Sequence, residues 1–413
     1  MSNRILNTMA VFTESFEHID ISEDELLEVA SKINFIHLFS DVKDFRQKGK
    51  IKYKLSNILF LIFLVKLTER TNSFVEIAAY IKIRKNIYTN YGLIENDQCP
   101  SHDTIRRIMS LLDHETLYNE TIGRFYEFLL TLEKEIQGTK HKHLAMDGKS
   151  VNGSGRSEET LHPMANQQLL NIYDCGLATC IFCEPVDAKT NEIPVGQDLL
   201  KTMELKKTVV TADALHCQRD TARIIAERRG IYVLTVKENQ ALLLQEISAR
   251  MEKYSKKVTV HQRENRRIEI LLLPASYADD GFKGLKAFVK MISNTGKKQS
   301  IRHFISNTKD QELICEAIEA RWSIENNLHK EKDTFFYEDR ITYTNKNAVR
   351  NMAIFNNLAV QLVKIFQATV EPDFYFAKRT LHAFPIESIQ QILGIINSDS
   401  IIKRFKSNIK KSK

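Results

Sequence analysis

Two aspartates in this sequence stand where a carboxylate could do chemistry. Asp147 follows the strand-like run 143–146 and precedes Gly148, and Asp213 directly follows the apolar run 208–212. Both runs predict short β-strands, and we expect Gly148 to release the chain into a turn. Both carboxylates would then lie at the carboxyl edge of a sheet, which is where α/β proteins bind their ligands.

A third acid, Glu325, lies inside a predicted helix that spans residues 311–332. Three carboxylates in one place would repel one another unless a divalent cation lay between them, and oxygen ligands select Mg²⁺ or Mn²⁺. Two such ions about 3.5–4 Å apart can activate water and stabilise the leaving oxygen of a phosphoryl transfer. The basic residues nearest these acids would then orient phosphates, namely Arg321, Lys332 and Lys149.

Three other residues lie near the acids in the sequence and could act at the same site. His329 follows Glu325 by four residues on one helix face, so it could bind a metal or a phosphate, or simply make a hydrogen bond there. His216 follows Asp213 closely and could orient it from behind. Trp322, the only tryptophan, would by default pack in the core.

The composition is that of a folded protein of a reducing compartment. The chain has 413 residues, of which 43% are hydrophobic, and its formal charge is +7. Its 14 glycines and 7 prolines favour long regular elements, and six cysteines are too few for a disulfide scaffold. The N-terminus lacks the apolar segment of a signal peptide, and no apolar run reaches the length of a membrane span. We therefore expect a cytoplasmic, nucleoid-associated protein with no membrane segment.

Hydrophobic periodicity divides the chain into a helical region and a mixed region. Residues 1–138 show the three- and four-residue spacing of helices, and residues 139–254 alternate short β-branched runs with helical segments. Residues 255–308 are strand-like, residues 309–370 return to helix, and residues 371–413 form a basic tail. The predicted fold class is α/β with a mixed sheet, a β-rich insertion and an all-α N-terminal domain.

Lysine and arginine are concentrated in two places. The tail after Ser400 carries six basic residues and no acid, and residues 253–267 carry another six. Such stretches attract polyanions, because binding releases condensed counterions. Charge alone leaves nucleic-acid binding and a solvated surface as equal alternatives.

Five stretches of the sequence carry a family resemblance. They are Ala-Met-Asp-Gly-Lys-Ser at 145–150, Val-Val-Thr-Ala-Asp-Ala-Leu-His at 209–216, Leu-Thr-Val-Lys-Glu-Asn-Gln at 234–240, Arg-Trp-Ser-Ile-Glu-Asn-Asn-Leu-His at 321–329 and Phe-Tyr-Glu-Asp at 336–339. Over roughly residues 35 to 365, the sequence resembles DDE transposases of the bacterial insertion-sequence type, in the group that includes the H-repeat-associated proteins. The motif at 321–329 is the most specific of the five.

This resemblance implies an RNase H-like catalytic core in which Asp147, Asp213 and Glu325 form the metal-binding triad. The β-rich insertion would account for the long separation between Asp213 and Glu325. Two positions depart from the family pattern. Ile318 occupies the tyrosine position of the Tyr–Arg–Glu–Lys signature, and Glu238 stands where relatives usually carry glycine.

The resemblance further implies a transposase that cleaves DNA at the ends of its own mobile element and joins the exposed 3′-OH to target DNA. The implied cofactor is two Mg²⁺ ions, for which Mn²⁺ could substitute. The implied partners are double-stranded DNA and a second copy of the chain, and no small-molecule substrate is expected. Lys237 and Asn326 are further candidates for DNA contact, and Trp322 is a candidate support for the catalytic helix.

Two alternative functions remain open at this point. A decayed or repurposed relative would bind DNA without cutting it, and only the departures at Ile318 and Glu238 favour that alternative. A stand-alone metal-dependent nuclease would hydrolyse DNA but would not join ends to a target.

Overall fold

The computed structural model describes residues 39–69, 71–95, 98–123, 141–156, 161–186, 191–263, 266–274, 277, 281–295, 298–369 and 374–383. The first 38 residues and the basic tail after Ser400 lie outside this range. Within it, nine strands form one mixed sheet: β1 (Lys142–Val151), β2 (Gln167–Asp174), β3 (Thr179–Val186), β4 (Thr208–Ala212), β5 (Ile231–Val236), β6 (Thr259–Arg263), β7 (Arg266–Leu272), β8 (Ala287–Thr295) and β9 (Lys298–Ser306).

The strand order across the sheet is β3-β2-β1-β4-β5-β9-β8-β7-β6. β1 pairs antiparallel with β2 and parallel with β4, and β4 pairs parallel with β5. β5 pairs antiparallel with β9, and antiparallel pairing continues through β8 and β7 to β6. The predicted mixed α/β sheet is confirmed. The strands of the 255–308 block extend this same sheet beyond β5.

The expected turn at Gly148 is wrong. β1 continues to Val151 because β2 pairs with it residue by residue from Leu144 onward. The parallel pairing of β1 with β4 stops earlier, where Met146 faces Ala212. The next residue of β1 is Asp147. It therefore lies inside a strand, just past the carboxyl end of the parallel pairing of β1 with β4.

The described helices surround the sheet and build the region that precedes it. In chain order they are α1 (Leu55–Thr68), α2 (Phe74–Ile83), α3 (Lys85–Asn90), α4 (His102–Leu111), α5 (His114–Tyr118), α6 (Glu192–Thr202), α7 (Arg219–Glu227), α8 (Ala241–Lys253), α9 (Gln311–Ile324), α10 (Lys330–Phe335), α11 (Lys346–Thr369) and α12 (Phe374–Ala383). Among them, none is both long enough and apolar enough to cross a bilayer.

Three apolar clusters hold these layers together. α1 is apolar on every side and almost wholly buried, which is typical of a central core helix, and it packs with α11 and with β1–β3. α6, α7 and α8 contribute to a second cluster with the residues of β1 and β4 that point to the opposite face. α9 contributes Leu313, Ile314 and Ile318 to a third cluster over β4, β5 and β7–β9. The end of α9 is thereby fixed over the sheet.

Candidate active site

The parallel register of β1 and β4 places Asp147 and Asp213 on neighbouring strands. Met146 faces Ala212 across the pair, so the two aspartates are the next residues on each strand. Neighbouring strands lie about 4.8 Å apart. The side chain of Asp147 is 18% exposed. Asp213 is half-buried and caps the turn after β4, because its Oδ1 accepts a hydrogen bond from the backbone N–H of Leu215 at 2.9 Å.

Glu325 lies on an irregular turn at the end of α9. The α-helix ends at Ile324, and Glu325–His329 forms a π-helical turn before α10 begins. Such turns are rare, and they occur frequently at functional sites. The Nη1 of Arg321 donates a hydrogen bond to Oε1 of Glu325 at 3.4 Å. The helix predicted over residues 311–332 is present, but its geometry changes from α to π at Glu325, and hydrophobic periodicity gives no sign of this single wider turn.

The three predicted acids are electrostatically coupled. Burial, followed by the negative charges of Asp213 and Glu325, raises the pKa of Asp147 to about 7, although the Arg321 guanidinium opposes this rise. A carboxyl group with such a pKa is costly to ionise in its surroundings. The negative charge of Asp147 therefore needs a cation beside it to be stable at neutral pH.

A fourth carboxylate, Glu192, approaches β1 and adds to the repulsion on Asp147. Glu192 is the first residue of α6, and no motif in the sequence marks it. A β-carbon built on Gly148 would lie 2.1 Å from its Oε2. Gly148 therefore makes room for this carboxylate. Since an acid in the first turn of a helix ordinarily serves only the helix dipole, tertiary structure alone identifies Glu192 as part of the site.

Two histidines lie next to these acids. The Nε2 of His216, which is fully buried, lies 3.6 Å from Oε2 of Glu192. The Nδ1 of His329 lies 3.6 Å from Oδ2 of Asp147, and its Nε2 lies 3.4 Å from Nδ2 of Asn171. Burial, together with nearby ammonium groups, lowers the pKa of His329 to about 3. His329 is therefore neutral at pH 7, and its contact with Asp147 is not an ion pair.

The two lysines predicted to orient phosphates instead point into the protein. The Nζ of Lys332 lies 3.2 Å from Oε1 of Glu338, and the Nζ of Lys149 lies 3.0 Å from Oε2 of the same carboxylate. The side chains of Lys332 and Glu338 are 0% and 2% exposed. Asn356 donates a further hydrogen bond to Glu338, and Asp333 pairs with Lys149. These five residues form what we call the Glu338 cluster. Buried ammonium groups with a carboxylate partner are not available to DNA in this structure.

The Glu338 cluster connects the two parts of the chain that carry the acids. Lys149 lies on β1, two residues after Asp147, and Lys332 lies on α10, beyond the turn that contains Glu325. Burial alone would raise the pKa of Glu338, but the two ammonium groups outweigh it and hold that pKa far below its usual range. The cluster therefore remains ionised inside the protein and fixes β1 against α10.

The Lys-Glu-Asn-Gln motif at 237–240 lies directly after β5. Asn239 donates a hydrogen bond to the backbone carbonyl of Ala214 at 2.6 Å, and Gln240 makes a similar bond three residues further on, at 2.9 Å. Lys237 is exposed at the end of the strand. The motif thus fastens the turn after β4. The side chain of Asn326, another candidate for DNA contact, lies outside the described part of the structure.

Ile318 and Trp322 are four residues apart and lie one turn apart on the same side of α9. Ile318 is 1% exposed and packs in the cluster between α9 and the sheet. Trp322 is half-buried, and three guanidinium groups lie over its ring: those of Arg302 at 4.1 Å, Arg321 at 5.0 Å and Arg266 at 5.6 Å from the ring centroid. The residue at the tyrosine position of the signature is thus a core residue in this chain.

The donor chemistry of the site fits a hard divalent cation. Asp147, Asp213 and Glu325 offer carboxylate oxygens, which are the ligands that Mg²⁺ and Mn²⁺ prefer. A cation would also relieve the repulsion that raises the pKa of Asp147. Among the described residues, no three His, Cys, Asp or Glu side chains are grouped tightly enough to form a ready-made metal centre. The three acids therefore fit a divalent cation by their charge and by the type of ligand atom they offer.

Comparisons with known proteins agree with these features. Residues 138–362 match the family model described as "Transposase DDE domain", and residues 36–123 match the model described as "DDE_Tnp_1-associated". "Putative transposase YncI" of Escherichia coli O157:H7 is 28% identical over 362 residues, which are 82% of this chain and 88% of that protein. "H repeat-associated putative transposase YhhI" of Escherichia coli strain K12 is 26% identical over 358 residues, 80% of this chain and 90% of that protein.

One solved structure, a cryo-EM structure of a piggyBac transposase synaptic complex with hairpin DNA, aligns at 11% identity with a TM-score of 0.42. The alignment covers 98% of this chain and 84% of that one, and similarity at this level supports no conclusion about the fold. The family model for the DDE domain, in contrast, spans more than half of the chain. The chain therefore belongs to the family of transposases with a DDE domain.

Proposed function

We propose that this protein cuts DNA at the ends of a mobile element and joins the exposed 3′-OH to target DNA, with Asp147, Asp213 and Glu325 as the residues that hold two Mg²⁺ ions. The observation that carries the proposal is the electrostatic coupling of these carboxylates, two of which follow the parallel register of β1 and β4 while the third lies on the π-helical turn after α9. We also propose that β1–β5 and the helices on them form an RNase H-like core.

The residues of the chain fix position and charge at this site. β1 and β4 hold the two aspartates, and the hydrogen bond from Arg321 orients Glu325. When bound, the metal ions would activate the attacking oxygen and stabilise the leaving oxygen of a phosphodiester. Arg321 lies next to Glu325, so it is also a candidate contact for the phosphate under attack.

The remaining parts of the chain would bind DNA and a second protomer. We assign recognition of the element ends to the N-terminal region 1–138, and support from non-specific phosphate contacts to the basic tail 371–413. Lys237, which is exposed at the end of β5, is a candidate phosphate contact, as are His329 and Asn326. Joining two element ends in one reaction requires two active sites, so we propose a homodimer on DNA.

The experiment is a cleavage and joining assay with the purified full chain. The substrate is a linear duplex that carries the sequences flanking this reading frame, with a supercoiled plasmid as target. Reactions with Mg²⁺, Mn²⁺ and EDTA test metal dependence, and Asp147→Asn, Asp213→Asn and Glu325→Gln test the three acids. Glu227→Gln, which changes an exposed acid at the end of α7 that pairs with Arg223 and Lys283, is the matched control.

Each outcome of this assay supports a different function for the protein. Metal-dependent nicking at the ends, followed by joined product, supports the proposal when all three acid variants lose both activities and the control retains them. Hydrolysis without joining would identify a nuclease. Specific binding with no cleavage by the wild type under any metal condition would identify a DNA-binding relative that has lost its chemistry.

A further inference from the structure

Three arginines from three different elements surround the only tryptophan of the chain. Arg266 lies on β7, Arg302 on β9 and Arg321 on α9, and their guanidinium carbons lie 4.1–5.6 Å from the ring centroid of Trp322. A cation above an indole ring is attracted by the ring quadrupole, and this attraction holds each guanidinium in a defined place. The aromatic ring thus gathers three positive charges that would otherwise repel one another.

Two of these arginines have no carboxylate partner among the described residues. Neighbouring arginines on β6 and β7 are paired, since Arg263 contacts Glu312 at 2.6 Å and Arg267 contacts Glu269 at 2.9 Å. No such ion pair is formed by Arg266 or Arg302 in the described part of the chain. The Nη1 of Arg302 is also buried without a hydrogen-bond partner there. Burial and the nearby guanidinium groups lower the pKa of Arg302, although the charge of Glu325 opposes this change.

Sheet register puts these two arginines on the face that α9 covers. Arg302 lies opposite Met291 of β8, and Arg266 lies opposite Ser293, two residues along the same strand. Met291 belongs to the apolar cluster under α9, and residues two apart on a strand share a face. The pair therefore lies on the sheet face that α9 covers, next to the apolar cluster, and the charge of Glu325 acts on Arg302.

We propose that Arg266, Arg302 and Trp322 form a binding site for a backbone phosphate of DNA, next to the acidic site. Guanidinium groups bind phosphate oxygens through paired N–H donors, and Arg302 has a buried N–H group that lacks an acceptor. A phosphodiester would supply the missing acceptor and a further negative charge between the guanidinium groups. Because the acidic site itself repels DNA, a positive site adjacent to it would hold the strand in place. This inference rests on the proposed function.

The single tryptophan makes the site directly observable. In a titration of the full chain with a short DNA duplex, the emission of Trp322 reports binding at this place and nowhere else in the chain. We expect a saturable change in emission whose midpoint rises steeply between about 50 and 200 mM salt. The same titration with inorganic phosphate at equal ionic strength separates a DNA site from a site for a small free anion. A full emission change with phosphate alone would overturn the DNA assignment.

Four variants distinguish this site from non-specific attraction of DNA by basic charge. Arg302→Ala and Arg266→Ala should each weaken duplex binding about tenfold, because a charge-assisted hydrogen bond is lost. Each should also reduce the slope of log affinity against log salt by about 0.9. Arg267→Ala is the matched control, since Arg267 follows Arg266 directly, points to the other face and pairs with Glu269. Arg302→Lys should keep the salt slope but lose affinity, because a lysine lacks the two-pronged donor.

The result that would overturn the inference is an equal loss of affinity in Arg302→Ala, Arg266→Ala and Arg267→Ala, or no loss in any of them. Circular dichroism of each variant shows whether it is folded, and Arg302→Lys provides a second test if Arg302→Ala is not. If the wild type cleaves element ends and these variants cleave with unchanged affinity, the phosphate site fails while the proposed function stands. If the wild type neither binds nor cleaves DNA, both fail.

Discussion

Glu338→Gln removes the carboxylate that compensates two buried ammonium groups. The side chains of Glu338, Lys332 and Lys149 are 2%, 0% and 7% exposed, and both ammonium groups lie within 3.2 Å of the carboxylate. The amide keeps the shape of the side chain and removes its charge. Breaking a buried ion pair by removing one partner costs about 3–5 kcal/mol, because the remaining charge stays desolvated. We expect the free energy of unfolding to fall by that amount.

Urea unfolding, followed by circular dichroism at pH 7, measures this change. Glu227→Gln is the matched control, since it removes an acid that pairs with Arg223 and Lys283 on the surface, and it should leave the unfolding midpoint unchanged. The double variant Glu338→Gln/Lys332→Met should recover part of the loss, because one of the uncompensated charges is then absent.

The pH dependence of the free energy of unfolding provides a second test of this prediction. The two ammonium groups depress the pKa of Glu338 below its ordinary value of 4.5, against the effect of burial. Its stabilisation is therefore complete above that unfolded-state value and is lost as the pH falls toward the folded-state pKa. The difference between wild type and Glu338→Gln should narrow below pH 4.5. If Glu338→Gln lowers the free energy of unfolding no more than Glu227→Gln does, the reasoning that this cluster is desolvated is refuted. The same holds if the difference between Glu338→Gln and wild type does not narrow below pH 4.5.

Three further variants test the acidic site. With Mg²⁺ present, Asp147→Asn should abolish cleavage. Without divalent metal, the same variant should raise the free energy of unfolding by about 1–3 kcal/mol at pH 8. Because burial and like charges raise the pKa of Asp147 from 3.8 to about 7, this gain should be absent below pH 3.8 and grow up to pH 7. Gly148→Ala should cost about 1–3 kcal/mol by displacing the carboxylate of Glu192, and the cost should shrink in a Glu192→Ala background, as measured by urea unfolding. Asn239→Ala should lower stability by about 1 kcal/mol and reduce cleavage more than DNA binding, since the bond to the turn capped by Asp213 is lost.

Local sequence determined the strands and the placement of two acids. The strand-like run before Asp147 and the β-branched run before Asp213 predicted β1 and β4, and in both strands the acid directly follows the last residue of the parallel pairing. This prediction succeeded because strand propensity and side-chain alternation depend on a few neighbouring residues. The family motifs, which are also short and local, led to the same residues.

Tertiary structure alone decided which charges are buried and what compensates them. Lys149 and Lys332 are basic residues near acids in the sequence, and only folding directs them to Glu338 in place of DNA. Likewise, Glu192 reaches β1 only because α6 packs there, and Gly148 serves that carboxylate and not a turn. The physical reason is that desolvation and ion pairing depend on contacts between residues that are distant along the chain, and residue types and spacing do not encode those contacts locally.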